Sequence, residues 1–273
     1  MANYLVRAQF KGGDADRHQI PAYDGFTSLA GMGLTLSLTA NYVETGVIRR
    51  RGDFEGRHTV KATPITEGSV VTDFLVSLPR ITLHTTQKVL SEAAGAALFG
   101  DLFKRVVDGN LGIDSQPQTE ELENLLKVRG GDVQALIAAT EPSVKQTHSV
   151  IGEGTSVLNI FGASHQIAQY NKSTKEYVNG TVIDRNLLQK DVSVPSFNVN
   201  SGYGGVFDFD LGRVVPIKVT KETLPRGKKV LSWGLNEYAN STGKTVHLKF
   251  YRWLALDGRP KKYIVVDAEM PAD

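Results

Sequence analysis

The chain has no cysteine. A disulfide framework, a thiolate zinc site, an iron–sulfur cluster and a cysteine nucleophile are therefore excluded. The absence suits a reducing cytosol, so a cytoplasmic location is expected. The sequence also lacks an apolar run of about 18 residues or more, the length of a membrane span. Met1 to Phe10 shows no basic-then-apolar signal pattern. No charge dominates: 31 Lys and Arg face 29 Asp and Glu, for a formal net charge of +2. Such balance argues against a disordered tail and against a strongly basic coat for nucleic acid. Catalytic signatures are missing as well. There is no Walker lysine, no Gly-x-Gly-x-x-Gly before a helix, no Gly-x-Ser-x-Gly elbow and no His-Glu-x-x-His. Gly162-Ala163-Ser164-His165 sets Ser beside His, but strand neighbours point to opposite faces and make no nucleophile–base pair.

What is present is a 273-residue chain with 41% hydrophobic residues, enough for one large core or two modest ones. Tyr4, Val6, Ala8 and Phe10 alternate with Leu5, Arg7 and Gln9, which predicts a strand with one buried face. A short second strand is expected from Arg17 to Ile20. Asp24 offers an N-cap. Phe26, Leu29, Ala30, Gly33, Leu36, Ala40 and Val43 then follow helical spacing. Leu34, Leu36 and Leu38 also alternate as in a strand. The helical match prevails because it persists for about five turns. His58–Pro64 and Ser69–Leu78 read as a hairpin around Glu67-Gly68.

Val89, Leu90, Ala93, Ala94, Ala97, Leu98, Leu102 and Val106 form a helical stripe, and a loop is expected from Gly109 to Gln118. Thr119-Glu120-Glu121-Leu122 reads as a capped helix start. Gly130-Gly131 is expected to interrupt that helix, with Asp132 capping another, and Pro142 to break or restart it. Strands are expected at Val157–Phe161, His165–Tyr170, Tyr177–Ile183, Val192–Val199, Gly205–Phe209 and Val214–Val219. A short helix over Lys228–Tyr238 and strands at Thr245–Ala255 and Lys261–Ala268 complete the chain. The expected class is α+β. An N-terminal β-β-α-β-β module covers 1–80, a helical segment 81–154, and a C-terminal β-rich barrel or sandwich 155–273.

Three groups of residues carry candidate chemistry. Asp14, Asp16 and His18 recur every second residue, so an extended strand would turn all three to one face. Two carboxylates and an imidazole suit a divalent metal or acid–base work, but a polar turn, with Asp capping backbone N–H groups and Arg17 paired to a carboxylate, is the simpler reading. No cofactor is otherwise expected. The second group is Lys249, Tyr251, Arg252 and Trp253, followed by Arg259, Lys261, Lys262 and Tyr263, with Phe197, Asn198, Asn200 and Tyr203 before them. Cations contact phosphates and aromatics stack on bases. Lys249 and Tyr251 share one strand face while Phe250 and Arg252 share the other, so a peptide groove or basic rim competes with a nucleic-acid face. Third, Ala93–Gly100 is rich in small residues that let helices approach closely. Gly95, Ala97 and Leu98 are the positions expected to meet a second copy, or the chain's own core.

Gly12-Gly13-Asp14-Ala15-Asp16-Arg17-His18, with Asp24 entering a helix, makes one distinctive stretch. Another is Phe197-Asn198-Val199-Asn200, then Gly204-Gly205-Val206-Phe207-Asp208, Gly212-Arg213, Val215 and Pro216. Together they resemble a family of bacterial proteins with no established activity. The resemblance spans both ends of the chain. It implies membership of accessory or mobile-element gene sets, including those in conflict with phage.

The leading expectation is a non-enzymatic bacterial binding or assembly protein, a sensor or structural subunit of an accessory or antiviral system. Its partner would be another protein or a second copy in a homo-oligomer. Three alternatives stand beside it. One is a metal-assisted hydrolase using Asp14, Asp16 and His18. Another is a single-stranded nucleic-acid binder using Lys249, Tyr251, Arg252, Lys261 and Lys262. The third is a membrane-disrupting effector that exposes Val89–Val106, with no constitutive membrane span.

Overall fold

A computed structural model describes residues 2–50, 52–63, 70–82, 89–163 and 165–271. The chain divides into two compact units. The first comprises residues 1–123 and 136–179, and the second 124–135 and 180–273.

The first unit is built on a five-stranded sheet. β1 (Ala2–Lys11) buries Val6, Ala8 and Phe10 and exposes Leu5, as the alternation predicts. β2 (Thr59–Ala62) and β3 (Val71–Leu78) pair antiparallel, Thr59 opposite Ser77. The expected turn at Glu67-Gly68 lies outside the described residues. β4 (Val157–Gly162) and β5 (His165–Tyr170) complete the order β2-β3-β1-β4-β5. α1 (Ala22–Thr45) forms the expected helix and buries Leu36, Ala40 and Val43 of the stripe, while Phe26 at its start is 60% exposed, and it stops where Gly46 adopts a φ of 67°.

The expected strand at Arg17–Ile20 is absent. Residues Gly13–Arg17 form a 3-10 turn instead, flanked by Gly12 at φ 81° and His18 at φ 62°. Asp14 and Ala15 donate backbone N–H bonds to the Gly154 carbonyl at 2.8 and 3.3 Å. This anchors the turn to the loop before β4.

α2 (Glu92–Leu111) begins at Ser91, whose hydroxyl accepts from the Ala94 N–H at 3.2 Å. It runs three residues into the segment expected as loop, and ends at Gly112 with φ 72°. α3 (Glu120–Thr147) starts at the expected Thr119 cap, whose hydroxyl accepts from Leu122 N at 3.3 Å. Asp101 of α2 secures that start by accepting from Gln118 N, Thr119 N and Thr119 Oγ1 at 2.7–2.8 Å.

α3 is two helical stretches joined across a kink at Arg129 (φ −131°, ψ 31°), directly before Gly130-Gly131 where an interruption is expected, whereas Pro142 is accommodated without a break. A Cβ at Gly131 would strike the backbone between Phe197 and Asn198, so a glycine permits that close approach. Thr140 and Ser143 hydroxyls bond back to helix carbonyls around Pro142. α4 (Lys172–Asn179) takes the first three residues of the strand expected at Tyr177–Ile183, and only its last two are extended. Asn171 and Thr174 cap each other there: Asn171 Oδ1 accepts from Thr174 N at 3.1 Å, and Thr174 Oγ1 from Asn171 N at 2.8 Å.

The second unit holds a closed five-stranded barrel. Its strands are β6 (Val182–Phe197), β7 (Tyr203–Asp208), β8 (Arg213–Val219), β9 (Val246–Leu254) and β10 (Pro260–Glu269). α5 (Leu224–Ala239) lies between β8 and β9 in the chain. β6 is long and irregular. Its first part pairs with β9 and its second with β7, with register shifts at Asp184/Leu188 and Ser193/Ser196. Pro195 sits in the second shift, where a missing N–H costs no ladder bond. Val192, Val194, Val206, Val215, Ile217, Val246, Leu248, Phe250 and Val265 fill the interior, and Leu231 of α5 joins them. Around the barrel the order is β6-β7-β8-β10-β9, closing on β6. β8 and β10 are parallel, and the remaining pairs are antiparallel. Counted within the barrel this is the order 1-2-3-5-4-1 with a helix between strands three and four, the topology of an OB fold.

Candidate functional site

The N-terminal loop does not present one acidic face. Asp14 pairs with Arg17. Asp16 Oδ1 accepts from the Gly12 N–H at 2.8 Å. His18 ends the turn in the left-handed region. The every-second-residue argument fails here because the backbone is curled, not extended. Among the described residues, no group of three or more His, Asp or Glu is placed to hold a metal. Ser164 lies outside the described residues. His165 opens β5 with an exposed side chain.

The small-residue segment lies on α2. Gly95 and Leu98 are buried, and Ala97 is exposed. A Cβ at Gly95 would meet Ile81 Cδ1 at 3.0 Å and Ala2 Cβ at 3.9 Å, so this face packs on the chain's own residues. Leu98, Leu102 and Val106, on the stripe that membrane disruption would have to expose, are 0–2% exposed. No described helix is long and apolar enough to cross a membrane.

The basic C-terminal residues are largely spoken for by carboxylates and carbonyls. Lys249 Nζ donates to Glu269 Oε1 at 2.7 Å and to Asp267 Oδ2 at 3.3 Å. These bonds raise the Lys249 pKa and help hold Asp267 below the usual carboxylate range against the opposing effect of burial. Arg252 donates twice to Asp184 Oδ2, at 2.6 and 3.0 Å. The Asp184 pKa is lowered, first by the Asn186 backbone N–H and then by Arg252. Lys261 Nζ reaches the Gly180 carbonyl at 3.3 Å and Thr181 Oγ1 at 3.2 Å. Tyr251 is half-buried on β9, opposite Ile264. Phe250 points into the core, so β9 divides its side chains as the alternation predicts.

Lys262 is placed differently. Its Nζ lies 5.5 Å from the Trp253 ring centroid and 5.9 Å from that of Tyr203. Lys218 Nζ lies 4.0 Å from the Tyr203 centroid. Strand register explains the grouping. Lys262 is opposite Trp253, Lys218 is opposite Tyr203, and Ile264 next along β10 is opposite Lys218. The outcome is a row, Trp253–Lys262–Lys218–Tyr203, crossing β9, β10, β8 and β7 on the outside of the barrel. All four side chains are partly exposed, whereas Ile217, Val219 and Tyr263 beside them turn inward.

The loop feeding β7 is rigidly built. Asn198 Oδ1 accepts from the N–H groups of Asn200 and Ser201 at 2.9 and 2.8 Å, and Gly202 N donates to the Asn198 carbonyl at 2.9 Å. Lys218 Nζ also donates to the Ser201 carbonyl. The loop and the row therefore share one residue. Chemically, two cations between two aromatic plates suit a planar ring carrying negative charge. Sequence reasoning placed Tyr203, Trp253 and Lys262 in its basic–aromatic group but missed Lys218. Val215, Ile217 and Val219 alternate around Lys218 and could have marked it as outward on a strand.

A family model described as a domain of unknown function, DUF7946, matches residues 6–179. The chain belongs to that family. The match includes the Gly12–His18 stretch, and the Phe197–Pro216 stretch lies beyond it. No curated protein and no solved structure matches the chain.

Proposed function

We propose that this DUF7946 protein is a binding protein whose C-terminal barrel holds single-stranded nucleic acid. The observation that carries the reading is the Trp253–Lys262–Lys218–Tyr203 row on the outside of an OB-type barrel. OB barrels use the surface of their second and third strands, with the loops between strands one and two and between four and five, for oligonucleotides and oligosaccharides. Here those elements are β7 and β8, residues 198–202 and residues 255–259. Tyr203 and Trp253 offer π-faces that every base can use, and Lys218 and Lys262 offer charge to the phosphates between them. A duplex hides its base faces, so the row favours an open strand over a helix.

Fluorescence anisotropy tests this with the full chain and a labelled oligodeoxythymidine of about 20 nucleotides, longer than one barrel's usual site. The expected result is saturable binding that weakens steeply with salt and is outcompeted by single strand more effectively than by duplex. Absence of binding at low salt, or equal competition by duplex, refutes the reading.

A further inference from the structure

A concave surface in the same unit shares none of its lining residues with the aromatic–lysine row. It is a groove of about 630 Å³ between the outer side of β6, the last turn of α5 and the loop that follows. Pro195, Leu235 and Ala239 give it apolar walls, and the Tyr238 ring, 48% exposed, lies against them. Lys127 and Lys244 bring two cations, and Ser193 and Ser241 bring two hydroxyls.

The far wall is stiff. Ser241 adopts a φ of 53° and Gly243 a φ of 75°. The N–H groups of Asn240, Ser241 and Thr242 bond back to the carbonyls of Asn236, Tyr238 and Glu237 at 3.0, 3.0 and 3.1 Å. These bonds occupy three of the carbonyls at the helix end. Glu237 is turned inward and occupied. It accepts from Thr242 Oγ1 at 2.8 Å and lies 3.7 Å from Lys244 Nζ. Lys244 Nζ also lies 5.8 Å from the Trp233 ring centroid.

We propose that this groove binds a small phosphorylated aromatic molecule of the nucleotide class. Its volume lies within the range of about 300–1,000 Å³ typical of small-molecule sites. An exposed tyrosine on an apolar wall is a stacking plate for a planar ring. Lysine ammonium groups are compact charges that suit phosphate, and the two hydroxyls can donate to its remaining oxygens. Inorganic phosphate would leave the apolar wall and Tyr238 unused.

The test is calorimetric titration of the full chain with the four ribonucleoside 5′-monophosphates, alongside inorganic phosphate and adenosine. At least one monophosphate is expected to bind with a Kd below about 1 mM, and about tenfold more tightly than phosphate or adenosine. Ala239→Trp, at an exposed helix end, fills the groove without entering the core. It should weaken that binding by about tenfold or more, as should Lys244→Glu, with Lys127→Gln as a milder check. Tyr203→Ala, on the other surface, should change it by less than about twofold, which separates this proposal from the single-strand reading. The proposal is overturned if no monophosphate binds, if phosphate or adenosine binds equally well, or if Ala239→Trp and Lys244→Glu both leave binding unchanged while circular dichroism shows them folded.

Discussion

Lys218 stands over the ring of Tyr203, its Nζ 4.0 Å from the ring centroid, and also bonds the Ser201 carbonyl. One cation thus touches both the plate and the loop that delivers it. Loss of the plate should cost a stacked base, about 1–3 kcal/mol, or about five- to 150-fold in affinity for single strand. Tyr203→Ala and Trp253→Ala are each expected to show that loss in anisotropy titrations. Lys218→Gln should instead reduce the slope of log K against log salt by about 0.7, the signature of one phosphate contact. Affinities unchanged in both aromatic variants would remove the row from the site.

His148 predicts a pH dependence of stability. Its imidazole is fully buried. Nδ1 lies 2.8 Å from the Val144 carbonyl, Nε2 lies 2.9 Å from Thr174 Oγ1, and the ring meets Tyr170 edge-on at 4.7 Å. Burial, with help from the charge of Lys175, lowers its pKa to about 4, against the opposing pull of the Val144 carbonyl. The unfolded chain titrates near 6.5. The folded state therefore binds the proton less well, and acid favours unfolding. The stability that neutral His148 supplies is complete above about pH 6.5 and is lost progressively as pH falls towards 4. Urea unfolding at a series of pH values should show this decline in the wild type and a flatter profile in His148→Gln. Parallel profiles would show that His148 is not the sensor.

Asp208 locks one end of the barrel. Its side chain is fully buried. It accepts from Tyr263 Oη at 2.6 Å and from Lys190 Nζ at 2.8 and 2.9 Å. Burial alone would raise its pKa, but these bonds outweigh that and lower it. Tyr263→Phe removes one donor and leaves the others, so it should cost about 1 kcal/mol. Asp208→Ala leaves the Tyr263 hydroxyl and the Asp210 and Leu211 N–H groups without their acceptor, while Lys190 keeps Asp210, and should cost about 1–3 kcal/mol more than Tyr263→Phe. Chemical denaturation measures both. Equal losses would contradict a shared network centred on Asp208.

Two neighbouring glycines on α1 should respond with opposite signs. A Cβ at Gly31 would lie 2.6 Å from the Ser143 carbonyl oxygen and 2.7 Å from Thr147 N, both backbone atoms of α3. At Gly33 the nearest atom is Phe74 Cε1, an ordinary 3.7 Å away. Alanine gains about 1 kcal/mol over glycine in a helix. Gly33→Ala should therefore raise the melting temperature. Gly31→Ala should lower it, because parting the helices costs about 1–3 kcal/mol. A rise in both would show that α1 and α3 can separate freely.

Local signals in the sequence were well preserved in the fold. The helical run through Leu36, Ala40 and Val43, the Thr119 cap and the alternation along β1 each depend on neighbours within a few residues. The failures have non-local causes. Asp14, Asp16 and His18 alternate in sequence, but glycines with positive φ and the Gly154 carbonyl curl that segment. Gly130-Gly131 does mark the kink in α3, but its second role, admitting the Phe197–Asn198 backbone more than sixty residues away, has no local signal. Lys249 and Arg252 look like free cations until Asp184 and Asp267 arrive from neighbouring strands. The Lys218–Tyr203 contact becomes legible only once β7 and β8 are in register.

Photocrosslinking tests the central claim most directly. The full chain would be irradiated with a single-stranded oligonucleotide carrying 5-bromouridine, and the crosslinked peptides identified by mass spectrometry. The account predicts crosslinks at Tyr203 or Trp253 that disappear when unlabelled single strand is added. Crosslinks confined to residues outside 180–273, or none under conditions of saturating strand, would contradict it.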